Sequence, residues 1–241
     1  AHPSIVTAKD DEQNLGIWGS ITRSFYRNII EERRYMLLWD GLKVTVYISF
    51  FSALLGTILG AVICHMRMSS CKICSTIAKI YIDVMRGTPV MIQLLIIYFV
   101  ILLPLNVDKF IAAVLCFGIN SGAYVAEILR GGIMSIDKGQ FEAGSSLGLP
   151  FAITMITIIL PQAVKNILPA LCNEGIVLLK ETSVSGYVAL QDLTKGGDII
   201  RGRTYSAFMP LIAVAAIYLI LVMFFTWLVK KLERRLAKSD R

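Results

Sequence analysis

Apolar residues gather in five long runs, Leu42 to Cys64, Ile80 to Leu105, Phe110 to Leu129, Phe151 to Leu179 and Ala207 to Val229. A helix needs about 20 mostly apolar residues to cross the ~30 Å hydrocarbon layer of a bilayer. Each run meets or nearly meets that length, so the pattern predicts an all-α integral membrane fold with five transmembrane helices. A soluble domain would have to bury all of these runs in one small core. The polar positions between the runs predict shorter elements. Ser20 to Tyr35 places Ile21, Phe25, Ile29 and Ile30 at helical spacing, as an amphipathic helix lying at the membrane interface does. Val184 to Leu193 reads as a short amphipathic piece. Asp137, with Gln140 three residues on, predicts a capping box, and Gly148 followed by Pro150 predicts where that helix stops. About ten residues form too short a helix to stand alone in water, so this one needs a docking partner.

Proline and polar residues inside the runs mark chemistry. Arg86-Gly87-Thr88-Pro89 predicts a helix that starts or breaks there, because proline lacks an amide donor and disfavours helical geometry in the residue before it. Gln93 follows one turn on. Glu127 and Arg130 share a helix face and can pair. Pro161 and Pro169 predict breaks in the fourth run, close to Asn173 and Glu174. A carboxylate at that depth is costly, so it turns toward a partner or a water-filled path. Gly56 and Gly60 are small residues four apart, which let helices approach closely, by packing within one chain in preference to a dimer seam.

Composition and charge sharpen this reading. The 241 residues are 56% hydrophobic and 17% charged with a net charge of +7, which suits an anionic membrane surface rather than nucleic acid. Lys and Arg are nearly evenly shared between the two sides, but the dense basic cluster from Lys230 to Arg241 favours a cytoplasmic C-terminus. The N-terminus then lies outside. The domains expected are an extracytoplasmic lead-in over 1–40, a five-helix transmembrane domain over 41–233 and a basic cytoplasmic tail over 234–241. Cys64, Cys116 and Cys172 read as small core residues. Cys71 and Cys74 form a lone CxxC, and with only His2 and His65 as histidines, a zinc site would lack its remaining ligands.

Several motifs in fixed order carry a resemblance. Glu142-Ala143-Gly144 leads to Leu147-Gly148 and then Ile158-Ile159-Leu160-Pro161. Arg86-Gly87-Thr88-Pro89 leads to Gln93. Ala123-Tyr124-Val125-Ala126-Glu127-Ile128-Leu129-Arg130-Gly131, Asn173-Glu174 and Leu179-Lys180-Glu181-Thr182-Ser183 follow. Together they resemble the permease subunits of ATP-binding-cassette importers for polar amino acids, most of all those fused to their own solute-binding domain. Gly144 stands where the pattern has alanine, and Gly175 where a bulkier residue is usual.

The resemblance implies a type I importer permease in a bacterial cytoplasmic membrane. It implies that Gln140, Phe141, Glu142, Ala143, Gly144, Leu147, Gly148 and Leu149 couple to an ATPase, with Phe141, Leu147 and Leu149 as apolar knobs. Asn173 and Glu174, with Gln93 and Thr88 across from them, are expected to line the substrate path. Two ATPase subunits, a second permease protomer, a solute-binding domain or protein, a polar amino acid and membrane lipid are the implied partners. ATP and Mg belong to the ATPase, leaving no cofactor and no enzymatic activity in this chain. The alternative is an ATP-independent carrier or channel, which has no use for an ATPase-docking helix. A membrane-embedded enzyme would want clustered acid, base or nucleophile groups, and neither histidine lies near Glu174 in sequence.

Overall fold

A computed structural model describes residues 17–238, so residues 1–16 of the expected lead-in and 239–241 of the expected tail lie outside the described residues. The chain enters through α1 (Ile17–Phe25), a π turn (Tyr26–Ile30) and a 3-10 turn (Glu31–Arg33). Glu32 and Arg33 take left-handed φ values of 54° and 53°, which turns the chain sharply into the first long helix. Of the four apolar residues expected to share a face, only Ile29 is buried, against Leu38, Leu193, Ile200 and Val214. Ile21, Phe25 and Ile30 stay exposed.

The centre of the molecule is the contact between α2 (Tyr35–Met68) and α5 (Lys109–Met134). Side-chain size explains it. A Cβ on Gly56 would come within 2.9 Å of Ser121 Cβ, and one on Gly60 within 2.5 Å of Val125 Cγ1. The glycine pair therefore serves close packing within the chain. Ser52 Oγ donates to the Val114 carbonyl at 3.3 Å, so numbering rises together along both helices and they run parallel.

Parallel neighbours require the chain between them to cross back. That segment comprises α3 (Lys72–Gly87) and α4 (Val90–Leu95, extended by a π turn over Ile96–Leu102), bent by 108° at the break. The second apolar run is thus a broken span, and the break falls at Thr88 and Pro89, within the stretch where proline predicts one. Thr88 and Pro89 are extended there, with ψ of 145° and 132°. Counting the bent pair as one span gives five crossings.

After α5 come the short helix α6 (Lys138–Ser146), one turn α7 (Phe151–Thr154), a π turn (Met155–Ile159) and α8 (Leu160–Glu181). Gly132 lies on Ile167 while Ser121 meets Glu174, so α8 runs antiparallel to α5. Pro161 falls in the first turn of α8, where its missing amide leaves little unpaired. Pro169 lies inside α8 without interrupting it, which corrects the expected break there.

A 3-10 turn (Thr182–Val188) and α9 (Leu193–Thr204) lead to the last span, α10 (Phe208–Lys238). The expected amphipathic piece over Val184 to Leu193 is therefore not the helix; the helix begins where that piece was to end. Asp192 decides the start, because its carboxylate accepts the amides of Thr194 at 3.2 Å and Lys195 at 3.0 Å. Two glycines of α9 permit contact. A Cβ on Gly196 would sit 2.7 Å from the Leu37 carbonyl oxygen, and one on Gly197 2.4 Å from Val214 Cγ2. Because α9 joins the starts of α2 and α10, those spans run in the same direction. The N- and C-terminal ends of the described chain lie on opposite faces.

Asp192 is buried, and that burial pushes its carboxyl up to about 6 from 3.8. A folded-state pKa above the unfolded one favours folding while the group is protonated, below about 4, and that contribution is lost as pH rises through about 6. Asp192→Asn keeps the cap and removes the charge. Thermal unfolding in detergent should show the variant more stable than wild type at pH 7, by up to about 3 kcal/mol, with the difference vanishing near pH 4. Equal pH profiles would contradict a buried, strained carboxyl.

Candidate functional site

Two arrangements stand out, one at the end of α5 and one between α5 and α8. The first is α6. Asp137 starts this nine-residue helix by accepting the Gly139 amide at 2.6 Å. The reciprocal half of the expected capping box is not formed: the Gln140 side-chain Oε1 accepts from Gln162 Nε2 at 3.4 Å, tying α6 to α8. At the other end Leu149 N donates to Gly144 O and Gly148 N to Ser145 O, both at 3.0 Å. This pair of bonds is a Schellman closure, and it requires the left-handed φ of 73° that Gly148 adopts.

Capping at both ends leaves one face against the chain and one face free. Gly144 is buried on Thr154, while Phe141 and Leu149 are half-buried. Gln140, Glu142, Ala143 and Gly148 are exposed, and Leu147 is 75% exposed. Of the three expected apolar knobs, Leu147 is the one fully presented to a partner.

The second arrangement is a polar thread through the interior. Ser121 Oγ donates to Glu174 Oε1 at 2.9 Å, linking α5 to α8. Its neighbour Asn120 donates to Gln93 Oε1 at 2.8 Å. Gln93 Nε2 in turn donates to the Met85 carbonyl at 2.8 Å and to Thr88 Oγ1 at 2.7 Å. Thr88 Oγ1 donates to the Val84 carbonyl at 2.8 Å. Gln93 is therefore buried and its amide is committed on both atoms, bracing the two halves of the broken span. Thr88 belongs to the same brace. Asn173, by contrast, is exposed beside the half-buried Glu174. A Cβ at Gly175 would meet nothing within 4 Å, so this flank of α8 is open.

Asn120 and Ser121 were missed from the sequence. Their signal is a polar pair within the apolar run from Phe110 to Leu129, where unpaired polar groups are costly. Two motifs also meet face to face. The Arg86 guanidinium lies 5.3 Å over the Tyr124 ring, and Arg130 pairs with Glu127 at 2.7 Å as their spacing predicts. Among the described residues no group of three or more His, Cys, Asp or Glu converges as metal ligands do.

Residues 52–238 match the family described as the inner membrane component of binding-protein-dependent transport systems. The chain belongs to this family. It is 42% identical over 203 residues, 83% of this chain and 93% of the other, to the arginine transport system permease protein ArtQ of Bacillus subtilis. It is 38% identical over 203 residues, 83% and 93% of the two chains, to the glutamine transport system permease protein GlnP of Escherichia coli K12. A solved amino acid ABC transporter with histidines superposes with a TM-score of 0.80 at 44% identity, over 83% of this chain and 94% of that one. The MetNI methionine transporter shares the fold, with a TM-score of 0.72 at 20% identity over 83% of this chain and 96% of that one. This permease is accordingly a multi-pass membrane subunit of an amino acid ABC transporter with the type I importer fold.

Proposed function

We infer that this permease carries a polar amino acid inward, driven by ATP hydrolysis in a partner ATPase that docks on α6. The observation that carries the reading is α6 itself, a nine-residue helix capped at both ends with Leu147 and Glu142 facing away from the chain. Its length is too short for independent stability, and its free face supplies the apolar and acidic groups a protein groove takes up. ATP and Mg would bind the ATPase, and this chain would perform no hydrolysis.

The α6 face is then cytoplasmic, which puts the start of α1 outside and the basic end of α10 inside. Five crossings are few to enclose a path, and closed two-fold symmetry is the commonest way for one chain to complete it. A second, identical protomer would present a second α6 to a second ATPase. Delivery falls to an extracytoplasmic solute-binding domain or protein. Arginine and glutamine, named for the relatives, both carry an α-ammonium group. Glu174, held by Ser121 beside the open flank at Gly175 and the exposed Asn173, supplies a matching carboxylate in the path. Gln93 and Thr88 contribute by holding the bend opposite.

Docking is tested by co-purification. When the permease and its ATPase are co-expressed, wild type should retain the ATPase through a tag on the permease. The double substitution Glu142→Lys with Leu147→Asp should lower the retained ATPase at least about tenfold, as loss of a central apolar anchor and a charge reversal do at protein interfaces. Retention equal to wild type would place the dock elsewhere.

A further inference from the structure

Thr154 behaves unlike five other threonines of this chain. Thr57, Thr76, Thr88, Thr157 and Thr204 each donate their hydroxyl to the carbonyl four residues earlier, at 2.7 to 2.9 Å. This is the ordinary way a helical threonine satisfies itself. Thr154 makes no such bond; its Oγ1 is buried without a hydrogen-bond partner, and the residue is 3% exposed. Its side chain lies on Gly144 of α6. A Cβ at Gly144 would fall 2.5 Å from Thr154 Cγ2, 2.6 Å from Oγ1 and 3.1 Å from Cβ. Leaving a buried hydroxyl unpaired costs about 1–3 kcal/mol, so something other than hydrogen bonding holds that rotamer.

The position explains what. Thr154 is the last residue of α7, immediately before the π turn Met155–Ile159, and α8 follows without a gap. Its partner Gly144 also supplies the carbonyl that accepts the Leu149 amide in closing α6. The one buried residue of α6 therefore rests on the residue from which the fourth span departs. π turns are uncommon single-turn distortions that recur at functional positions in helices, and this one lies between the α6 seat and the rest of α8.

We propose that Gly144 and Thr154 form the seat through which movement of α6 is passed to the π turn and so to α8, which makes both of them positioning residues for transport. The proposal rests on the reading of α6 as the ATPase dock. Glycine at 144 is then a requirement of this chain. The Thr154 side chain occupies the space an alanine methyl would need, so the alanine usual at that motif position fits only if residue 154 is smaller. Packed interiors respond to such a clash by shifting whole elements, not by compressing.

The test is a pairwise exchange in proteoliposomes holding the permease with its ATPase, reading ATP hydrolysis, amino-acid uptake and ATPase retention together. Gly144→Ala should keep the ATPase bound and hydrolysing while uptake per ATP falls at least tenfold. Adding Thr154→Ala removes Cγ2 and Oγ1 and leaves the Thr154 Cβ at 3.1 Å as the nearest neighbour, which a shift of a few tenths of an ångström relieves. The double variant should recover uptake per ATP to within about twofold of wild type. Should Gly144→Ala unfold the permease, the same rescue is read as recovered monodisperse protein and melting temperature. Unchanged uptake in Gly144→Ala, or a double variant no better than the single one, overturns the seat. Uptake by the wild-type complex that needs no ATPase overturns instead the functional reading beneath it.

Discussion

Valine at position 148 should abolish amino-acid uptake while leaving the permease inserted and folded. Gly148 closes α6 at a φ of 73°, where a β-branched residue is strained by about 1–3 kcal/mol. Its neighbourhood is empty, with nothing within 4 Å of an added Cβ, so the effect is one of backbone conformation and not of crowding inside the chain. Each 1.4 kcal/mol lowers the closed population about tenfold, and a nine-residue helix has little stability in reserve. Losing the closure frees the last turn, where the exposed Leu147 sits. Asparagine, which tolerates the left-handed region, serves as the control and should keep at least half of wild-type uptake. Normal uptake by Gly148→Val at matched membrane abundance would remove α6 closure from the account.

The second large effect is expected at Glu174. Glutamine preserves the shape and can still accept the Ser121 hydroxyl, but it carries no charge. An ionised carboxylate within a span costs a few kcal/mol, so the variant should fold at least as well as wild type. Uptake of a cationic amino acid such as arginine should fall about tenfold or more, and that of a neutral one less. ATP hydrolysis recorded in parallel separates a slowed path from a broken dock. If the protein melts earlier while its preference between cationic and neutral amino acids stays the same, Glu174 is a packing group and the path lies elsewhere.

How far the sequence anticipates the structure differs by region, for physical reasons. The spans were legible because lipid demands about 20 apolar residues in a row whatever the tertiary structure. The ends of α6 were legible because caps are local: Asp137 and Gly148 each act within three residues of themselves. The Glu127–Arg130 pair was legible for the same reason. What escaped depends on distant partners. Gln93 reads as a path-lining polar group until Asn120 and the Met85 carbonyl are seen to occupy its amide. Nothing local to Gly196 and Gly197 announces that Leu37 and Val214 press against them. Pro169 reads as a break, yet the packing of α8 carries the helix through it. The 108° bend at Pro89 was visible as a break but not as an angle, since the angle is set by the brace around Gln93 and by the parallel packing of α2 and α5.

The proposed drive for amino-acid movement through this permease is ATP hydrolysis by a docked partner. It is tested most directly by reconstituting the permease with and without its ATPase in liposomes and following labelled arginine and glutamine with the binding component supplied. Uptake should require both ATP and the ATPase and fall to background when either is omitted or when Gly148→Val replaces wild type. Uptake at an undiminished rate by the permease alone, without ATP, would contradict it.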